Sequence, residues 1–449
     1  MKASNLFNGK IKYHLILVSI IFAVLAYLFG SFLSPQHRIF FAIMIFIAFM
    51  WFTEAIPLFL TSLLVPFLAV TLVKLPSDVA IKPFFDPIVM LILGGFVISV
   101  AMQKTKLSEV FAGYFLRFSK GKPYFTLLLI FSFTFLISMW ISNSAAAAIV
   151  MPIAVAILVK NHMSKGAQFP KAVVLGIAYA ATIGGLTTIV GTPPNAIASQ
   201  FLSNHGFVVD FLGWMIYAIP FAILLLMIMW GIMCFRYRTD LKKLTIPLNI
   251  KTKFNISQKT TLFILLLTIV LWLTTRIHKI PASVIAIIPI ILFYVLQVLE
   301  PSDFAKSRWS TLILIGGGLS LGSAISYLKF DLVVAEFIKG LIQNQPAIAV
   351  FLLLAIATIL MTAVASNTAT AAILIPIIIP LAASLNLNVI SVAVLVALAS
   401  SLDFIVPVGT PPTAIAYSTG YLKTKDILIT GTLLSLISVI FLVVFSMLW

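Results

Sequence analysis

Charge is what this sequence has least of. Only 9% of its 449 residues are Asp, Glu, Lys or Arg, against about a quarter in a soluble globular protein, and the mean hydropathy is +1.17. That excludes a soluble enzyme. Cysteine is nearly absent: Cys234 alone rules out an internal disulfide and any cysteine-based metal site, and reads as a small core residue at a helix end. The five histidines (His14, His37, His162, His205, His278) fall at segment ends or in loops and make no metal-ligand spacing. No HExxH, Walker loop or His/Ser/Asp order is present, so nothing supports an enzyme. Acidic residues are scarce as well, 12 against 29 basic, giving +17. On a soluble chain that excess would suggest nucleic acid; in a membrane chain it sorts to cytoplasmic loops, and no nucleic-acid partner is expected.

What the sequence has in abundance is apolar runs of membrane-spanning length, recurring from residue 13 to 449. The first, 13 to 33, follows three lysines but lacks a small-residue cleavage site, so it reads as a retained helix. Two runs, 125 to 159 and 347 to 383, are too long for one span of about 20 residues. Each carries a polar triplet near its middle, which fits a helix, a polar tip and a returning helix that enters and leaves on one side. With the N-terminus inside and those two hairpins not crossing, eleven crossings are expected. Cytoplasmic stretches then hold 22 of the 29 Lys and Arg residues, as the positive-inside rule requires. Six of the seven tryptophans lie near segment ends, where an interfacial belt places them; Trp140 sits two residues before the first tip and either lines a site or packs in the core.

The two tips are related. Residues 142 to 152 (SNSAAAAIVMP) recur at 366 to 376 (SNTATAAILIP) with seven of eleven positions identical. GTPPNAIA at 191 to 198 recurs as GTPPTAIA at 409 to 416, and ILGG at 92 to 95 as LIGG at 314 to 317, so the three offsets are 224, 218 and 222 residues. The first tip follows four crossings and the second nine, which makes the repeats inverted. Inverted repeats with helices interrupted at matching places mark a secondary transporter whose site lies near the midplane.

Each Gly-Thr-Pro-Pro must unwind its helix, because proline removes a backbone donor and clashes with the preceding turn; non-helical backbone at membrane depth survives only inside protein or along a wet cavity. The tips supply hydroxyls and amides but no Arg, Lys or His. An anion is held there by the amides at helix N-termini, with their positive dipole ends. Asn143 and Asn367 offer NH2 donors to a carboxylate and a carbonyl oxygen to a cation; Ser144, Thr368, Thr192 and Thr410 offer hydroxyls. Unwound carbonyls suit Na+. Ser138 and Thr362 lie four residues before the tip serines, on the same helix face, and either serve the site or bond back to their own helix. Among the membrane carboxylates, Glu54 and Asp86 lie near segment ends and read as turn or interface residues. Asp403 is deeper and is a candidate coupling residue, open to carrying a proton, balancing a cation or pairing with a distant Lys or Arg.

The doubled Ser-Asn-Ser/Thr tips and the breaks after them resemble the divalent anion/sodium symporter family, the dicarboxylate and citrate carriers, over essentially the whole chain after the first helix. The resemblance implies an all-α polytopic protein of about eleven transmembrane helices with two re-entrant hairpins, a homodimer embedded in membrane lipid, and an elevator mechanism. It implies a division into an N-terminal tail and first helix (1–36), a first inverted repeat (37–235), a basic cytoplasmic linker (236–259) and a second inverted repeat (260–449). It assigns Ser138, Ser142, Asn143 and Gly191 to one Na+ site, and Thr362, Ser366, Asn367 and Gly409 to a second. The substrate contacts it implies are Asn143, Ser144, Thr192, Asn367, Thr368 and Thr410. Ser144 departs from the family's threonine, Thr413 from its asparagine, and Asp403 places a carboxylate near the second cation site. The function this implies is secondary active transport of C4/C5 dicarboxylates across the plasma membrane, with Na+ as coupling ion or by dicarboxylate exchange, with no organic cofactor. The other readings are a proton-coupled anion transporter using Asp403 and an ion channel built on re-entrant hairpins.

Overall fold

The computed structural model describes residues 11–246, 254–342, 345–407 and 409–449, whose regular elements are all helices, with no strand among them. The first ten residues and residues 247–253, the centre of the expected linker, lie outside the described residues. Tyr13–Phe29 (α1), Pro35–Thr53 (α2), Leu58–Thr71 (α3) and the short Ser77–Ile81 (α4) come first. Pro87–Thr105 (α5), the amphipathic Leu107–Phe118 (α6), Pro123–Ser138 (α7), Asn143–Lys160 (α8), Gln168–Gly185 (α9), Pro193–Asn204 (α10) and Phe211–Arg236 (α11) complete the first half. After Ile256–Leu273 (α12) come four short pieces: Thr275–His278 (α13), Ala282–Ile285 (α14), Ile287–Val295 (α15) and Pro301–Phe304 (α16). Then follow Trp309–Tyr327 (α17), Phe330–Ile342 (α18), Ala347–Thr362 (α19), Asn367–Ser384 (α20), Val389–Ala399 (α21), Pro411–Ser418 (α22) and Thr424–Leu448 (α23).

Nine of the described helices are long and apolar enough to cross a membrane. Burial grades from outside to inside. In α1 only Ser19 is buried, and Leu17, Ile20, Ile21 and Val24 are exposed, the surface a lipid-facing helix presents. In α9 and α21 nearly every residue is buried, which is what a helix apolar all round requires. These two helices form the centre, and each is one half of a broken helix.

The repeat is legible in the helices themselves. The 19-residue α5 matches the 19-residue α17, the 16-residue α7 matches α19, the 18-residue α8 matches α20, and α11 with 26 residues matches α23 with 25. The arms α7 and α8 pack on each other, as do α19 and α20, so both long apolar runs are hairpins. The second halves of the broken helices cross over: α10 packs on α20 and α21, whereas α22 packs on α8 and α9. Each repeat therefore completes the other's hairpin, and neither core closes without its partner.

Hydrogen bonds and ion pairs between loops test the sidedness read from charge. Leu244 N donates to Gly121 O at 2.7 Å, Thr245 N to Asn161 Oδ1 at 2.8 Å, and Lys171 pairs with Asp426 at 3.0 Å. These link stretches that all count as cytoplasmic. At the other end Arg276 pairs with Asp210, Gln36 reaches Val73 O, Gln200 reaches Asp86, and Asn388 reaches Trp449 O. Among the described residues each of these joins two stretches that the count places on one side. The Arg276 hydrogen bonds hold the Asp210 carboxyl below its ordinary range, outvoting the opposing effect of burial.

One sequence expectation is corrected. Trp51, Trp214 and Trp272 do not face a lipid interface: they are fully buried, and each indole N–H finds an internal acceptor, Ser62 Oγ, Leu186 O and Ala282 O respectively. The run 282 to 298 is not one helix but α14 and α15, interrupted at Ala286, which packs directly on Gly94 of α5 where a side chain would not fit. Helix α12 begins at Ile256, ahead of its apolar run, because Asn255 and Gln258 form a reciprocal capping box.

Candidate functional site

Each hairpin turns because its tip serine ends one helix and starts another. Ser142 is extended (φ −61°, ψ 144°) and caps α8 through Ala145 N at 3.4 Å; Ser366 holds the same conformation (φ −61°, ψ 137°) before α20. The four alanines 145–148 after the first tip are small enough for neighbours to approach closely. The broken helices unwind over 186–192 and, among the described residues, over 400–407 and 409–410, and Thr192 and Thr410 are extended just before α10 and α22. Four helix N-termini therefore converge on one place.

That place is a cavity of about 800 Å³. Its walls include Ser142, Asn143, Ser144, Gly191 and Thr192 from the first repeat, and Thr362, Ser366, Asn367, Thr368, Gly409 and Thr410 from the second. Residues more than 200 positions apart in sequence thus share a single chamber. Of the residues singled out from sequence, Ser138 and Asp403 do not line it; both are buried directly behind the lining. Trp140 is not in the wall either: it stacks on Phe211 with ring centres 6.3 Å apart, in the core packing that also holds Trp272.

Ser138 and Thr362 do not bond back into their own helices. Ser138 Oγ lies 2.9 Å from Asn143 Oδ1 and 2.6 Å from Ala181 O, and Thr362 Oγ1 lies 2.9 Å from Asn367 Oδ1 and 2.7 Å from Ser400 O. The geometry is the same in both repeats. Two acceptor oxygens compete for one hydroxyl hydrogen, a cluster of oxygens suited to a small hard cation. It also turns each amide so that Oδ1 faces the cluster, and neither Nδ2 has a protein acceptor among the described residues. Gly185, absent from the sequence reading, is the floor under Asn143: a Cβ there would strike the amide.

Behind the breaks the two repeats differ. In the first, Asn195 Nδ2 donates to Gly185 O at 3.1 Å, Leu186 O at 3.0 Å and Thr188 O at 2.8 Å, gathering the freed carbonyls of the unwound stretch. In the second, Thr413 stands in its place, and its hydroxyl is 2.9 Å from that of Thr410. Asp403 stands where Gly185 stands, 218 residues on. Its carboxylate fills the space that a Cβ on Gly409 would need, it is 1% exposed, the backbone N–H groups of Ile405 and Val406 face it, and it makes no ion pair with a Lys or Arg among the described residues. Among the described residues no Lys or Arg takes the distant-cation role.

The motifs hold no basic residue, but the fold brings one to them. Arg308, the residue before α17, places Nη2 3.0 Å from Ser144 Oγ. Arg308 is the N-terminal cap residue of α17 as Asp86 is of α5, 222 residues earlier, and nothing local in the sequence signals its reach. Glu54, the left-handed cap of α2 (φ 46°), also faces the cavity, together with Lys12.

Comparison with known proteins bears on what this chamber does. Residues 8–449 match the family described as the sodium:sulfate symporter transmembrane region. An uncharacterised transporter of Haemophilus influenzae is 32% identical over 427 residues, covering 91% of this chain and 90% of its own. A protein of Staphylococcus saprophyticus named sodium-dependent dicarboxylate transporter SdcS is 32% identical over 449 residues, covering 92% and 86%. Among solved structures, the YdaH transporter of Alcanivorax borkumensis superposes with a TM-score of 0.61 at 15% identity over 92% of this chain and 98% of its own, a likeness of fold.

Proposed function

The chain belongs to the sodium:sulfate symporter transmembrane family and is a multi-pass membrane transporter rather than an enzyme; we propose that it carries C4 and C5 dicarboxylates such as succinate, malate, fumarate and 2-oxoglutarate by Na+ symport. The observation that carries this reading is the single chamber lined by both tips and both breaks. A dicarboxylate lodges between the tips, taking hydrogen bonds from the Nδ2 groups of Asn143 and Asn367 and from the hydroxyls of Ser144, Thr368, Thr192 and Thr410. The positive ends of α8, α10, α20 and α22 offset its charge. Its relative in S. saprophyticus carries the sodium-dependent dicarboxylate name.

Na+ is a co-substrate in this scheme. The first cation sits among Ser138, Ser142, Asn143 and the backbone of Gly191, the second among Thr362, Ser366, Asn367 and the backbone of Gly409, with Asp403 as an added charged ligand at the second. Because Asn143 and Asn367 each face a cation with Oδ1 and the anion with Nδ2, bound Na+ polarises the amide that holds the substrate. That shared side chain is the coupling. The hairpins and broken helices move together as an elevator against the remaining helices, in a homodimer in the plasma membrane with the N-terminus cytoplasmic.

Purified protein in liposomes tests the reading. Labelled succinate uptake is expected to rise with an inward Na+ gradient and to vanish when K+ replaces Na+. Uptake that persists without Na+ but needs dicarboxylate inside would make the protein an exchanger, and Na+-free uptake driven by an inward proton gradient would replace the coupling ion.

A further inference from the structure

We propose that Arg308 is an anion-binding residue of this carrier, clasping one carboxylate of a dianion at the first tip and thereby selecting dianions over monoanions. This rests on the dicarboxylate reading above and names what enforces it.

Three observations converge on Arg308. Its guanidinium is 3.0 Å from Ser144 Oγ, a hydroxyl of the tip itself. It lines the central cavity and also an adjoining chamber of about 560 Å³ that runs from Ser142 and Ser144 to Lys104 and Lys306, so an anion passing between the two meets it. It alone among the three cations of that chamber has no carboxylate partner in the described structure. Lys104 pairs with Asp303 at 2.7 Å and Glu300 at 3.0 Å, and Lys306 pairs with Asp303 at 2.6 Å. Lys12, at the edge of the central cavity, donates to Thr53 O and reaches neither tip.

One N–H of Arg308 is used on Ser144, and the others have no protein acceptor among the described residues. A planar guanidinium with free donors matches a carboxylate in a two-pronged geometry that an ammonium does not reproduce. The repeat makes the arrangement one-sided. Where the second repeat has Arg308, the first has Asp86, whose carboxylate is taken up by Ile88 N and Gln200 Nε2. A positive side chain therefore serves one end of the substrate only, while the other end relies on amides and helix termini. A ligand with a carboxylate at each end satisfies both; a monoanion leaves one or the other unmatched.

Equilibrium binding to the purified full-length protein in Na+ tests this, with succinate, its monoamide succinamate and sulfate as probes. Arg308→Gln is expected to weaken succinate binding at least tenfold, to change succinamate binding less than twofold, and to leave Na+ binding without anion unchanged; Arg308→Lys should recover part of the loss. Unchanged succinate affinity in Arg308→Gln, or equal weakening of succinate and succinamate, overturns the assignment. A wild type that binds sulfate but not succinate, and loses sulfate in Arg308→Gln, keeps Arg308 as the anion residue and overturns the dicarboxylate reading. A wild type that binds none of the three overturns both.

Discussion

Asn143→Ala and Asn367→Ala are each expected to abolish Na+-driven succinate uptake while leaving normal amounts of folded protein in the membrane. Each amide does two jobs. Its Oδ1 belongs to the oxygen cluster with Ser138 and Ala181 O, or with Thr362 and Ser400 O, and its Nδ2 faces the cavity. Leaving one buried polar partner unsatisfied costs about 1 to 3 kcal/mol, and truncation here strips a partner from both cation and anion. Since about 1.4 kcal/mol is tenfold in affinity, the combined loss is on the order of 100-fold. Folding should survive, because both asparagines line the cavity and their loss leaves no filled core position empty. Uptake and surface abundance, measured together, check this: near-normal uptake by either variant would make the tips structural.

Asp403→Asn is expected to weaken Na+ binding at least tenfold with no substrate present. The carboxylate is buried, faces only the backbone N–H groups of Ile405 and Val406 and makes no ion pair in the described structure, and a buried charge so placed is too costly to persist without a counter-ion or a proton. The first repeat solves the same position differently: glycine at 185 and the Asn195 amide spanning three carbonyls. With threonine at 413 no single amide spans the second stretch, whose Ser400, Leu402 and Phe404 carbonyls accept separate hydroxyls from Thr362, Ser435 and Tyr179, and Asp403 adds a carboxyl, so a cation there is expected to bind the more tightly and first. The substitution keeps an oxygen in place and removes the charge, and should cost about 3 kcal/mol, the lower end of the roughly 3 to 5 kcal/mol lost when one partner of a buried pair is removed. Na+ titrations followed by thermal stability read the effect. Wild-type Na+ affinity in the variant would remove Asp403 from the cation site.

Much of this was legible in the sequence, for identifiable reasons. Proline and glycine act locally, so the two Gly-Thr-Pro-Pro strings announced their breaks, and near-identical strings at one offset announced the repeat. The charge count placed loops that the structure then joins, such as Leu244 to Gly121 and Lys171 to Asp426. What was not legible depends on long-range packing. That Ser138 meets Ala181 O, that Gly185 carries Asn143, and that Arg308 reaches Ser144 across 164 residues follow from how helices cross. Tryptophan at a segment end has two stable homes, and Trp51, Trp214 and Trp272 took the interior because an acceptor waited there. The isolation of Asp403 is a third case: its depth could be read from the sequence, and only the fold reveals that no Lys or Arg among the described residues pairs with it.

The central claim is that one carrier site is shared by two hairpins entering from opposite faces of the membrane. Side-specific labelling tests it most directly. With Cys234 replaced, single cysteines at Lys165, just after the first hairpin, and Asn386, just after the second, are both exposed and accessible to an impermeant thiol reagent. The inverted arrangement predicts that they label from opposite sides, Lys165 from the cytoplasm; labelling of both from the same side would contradict it.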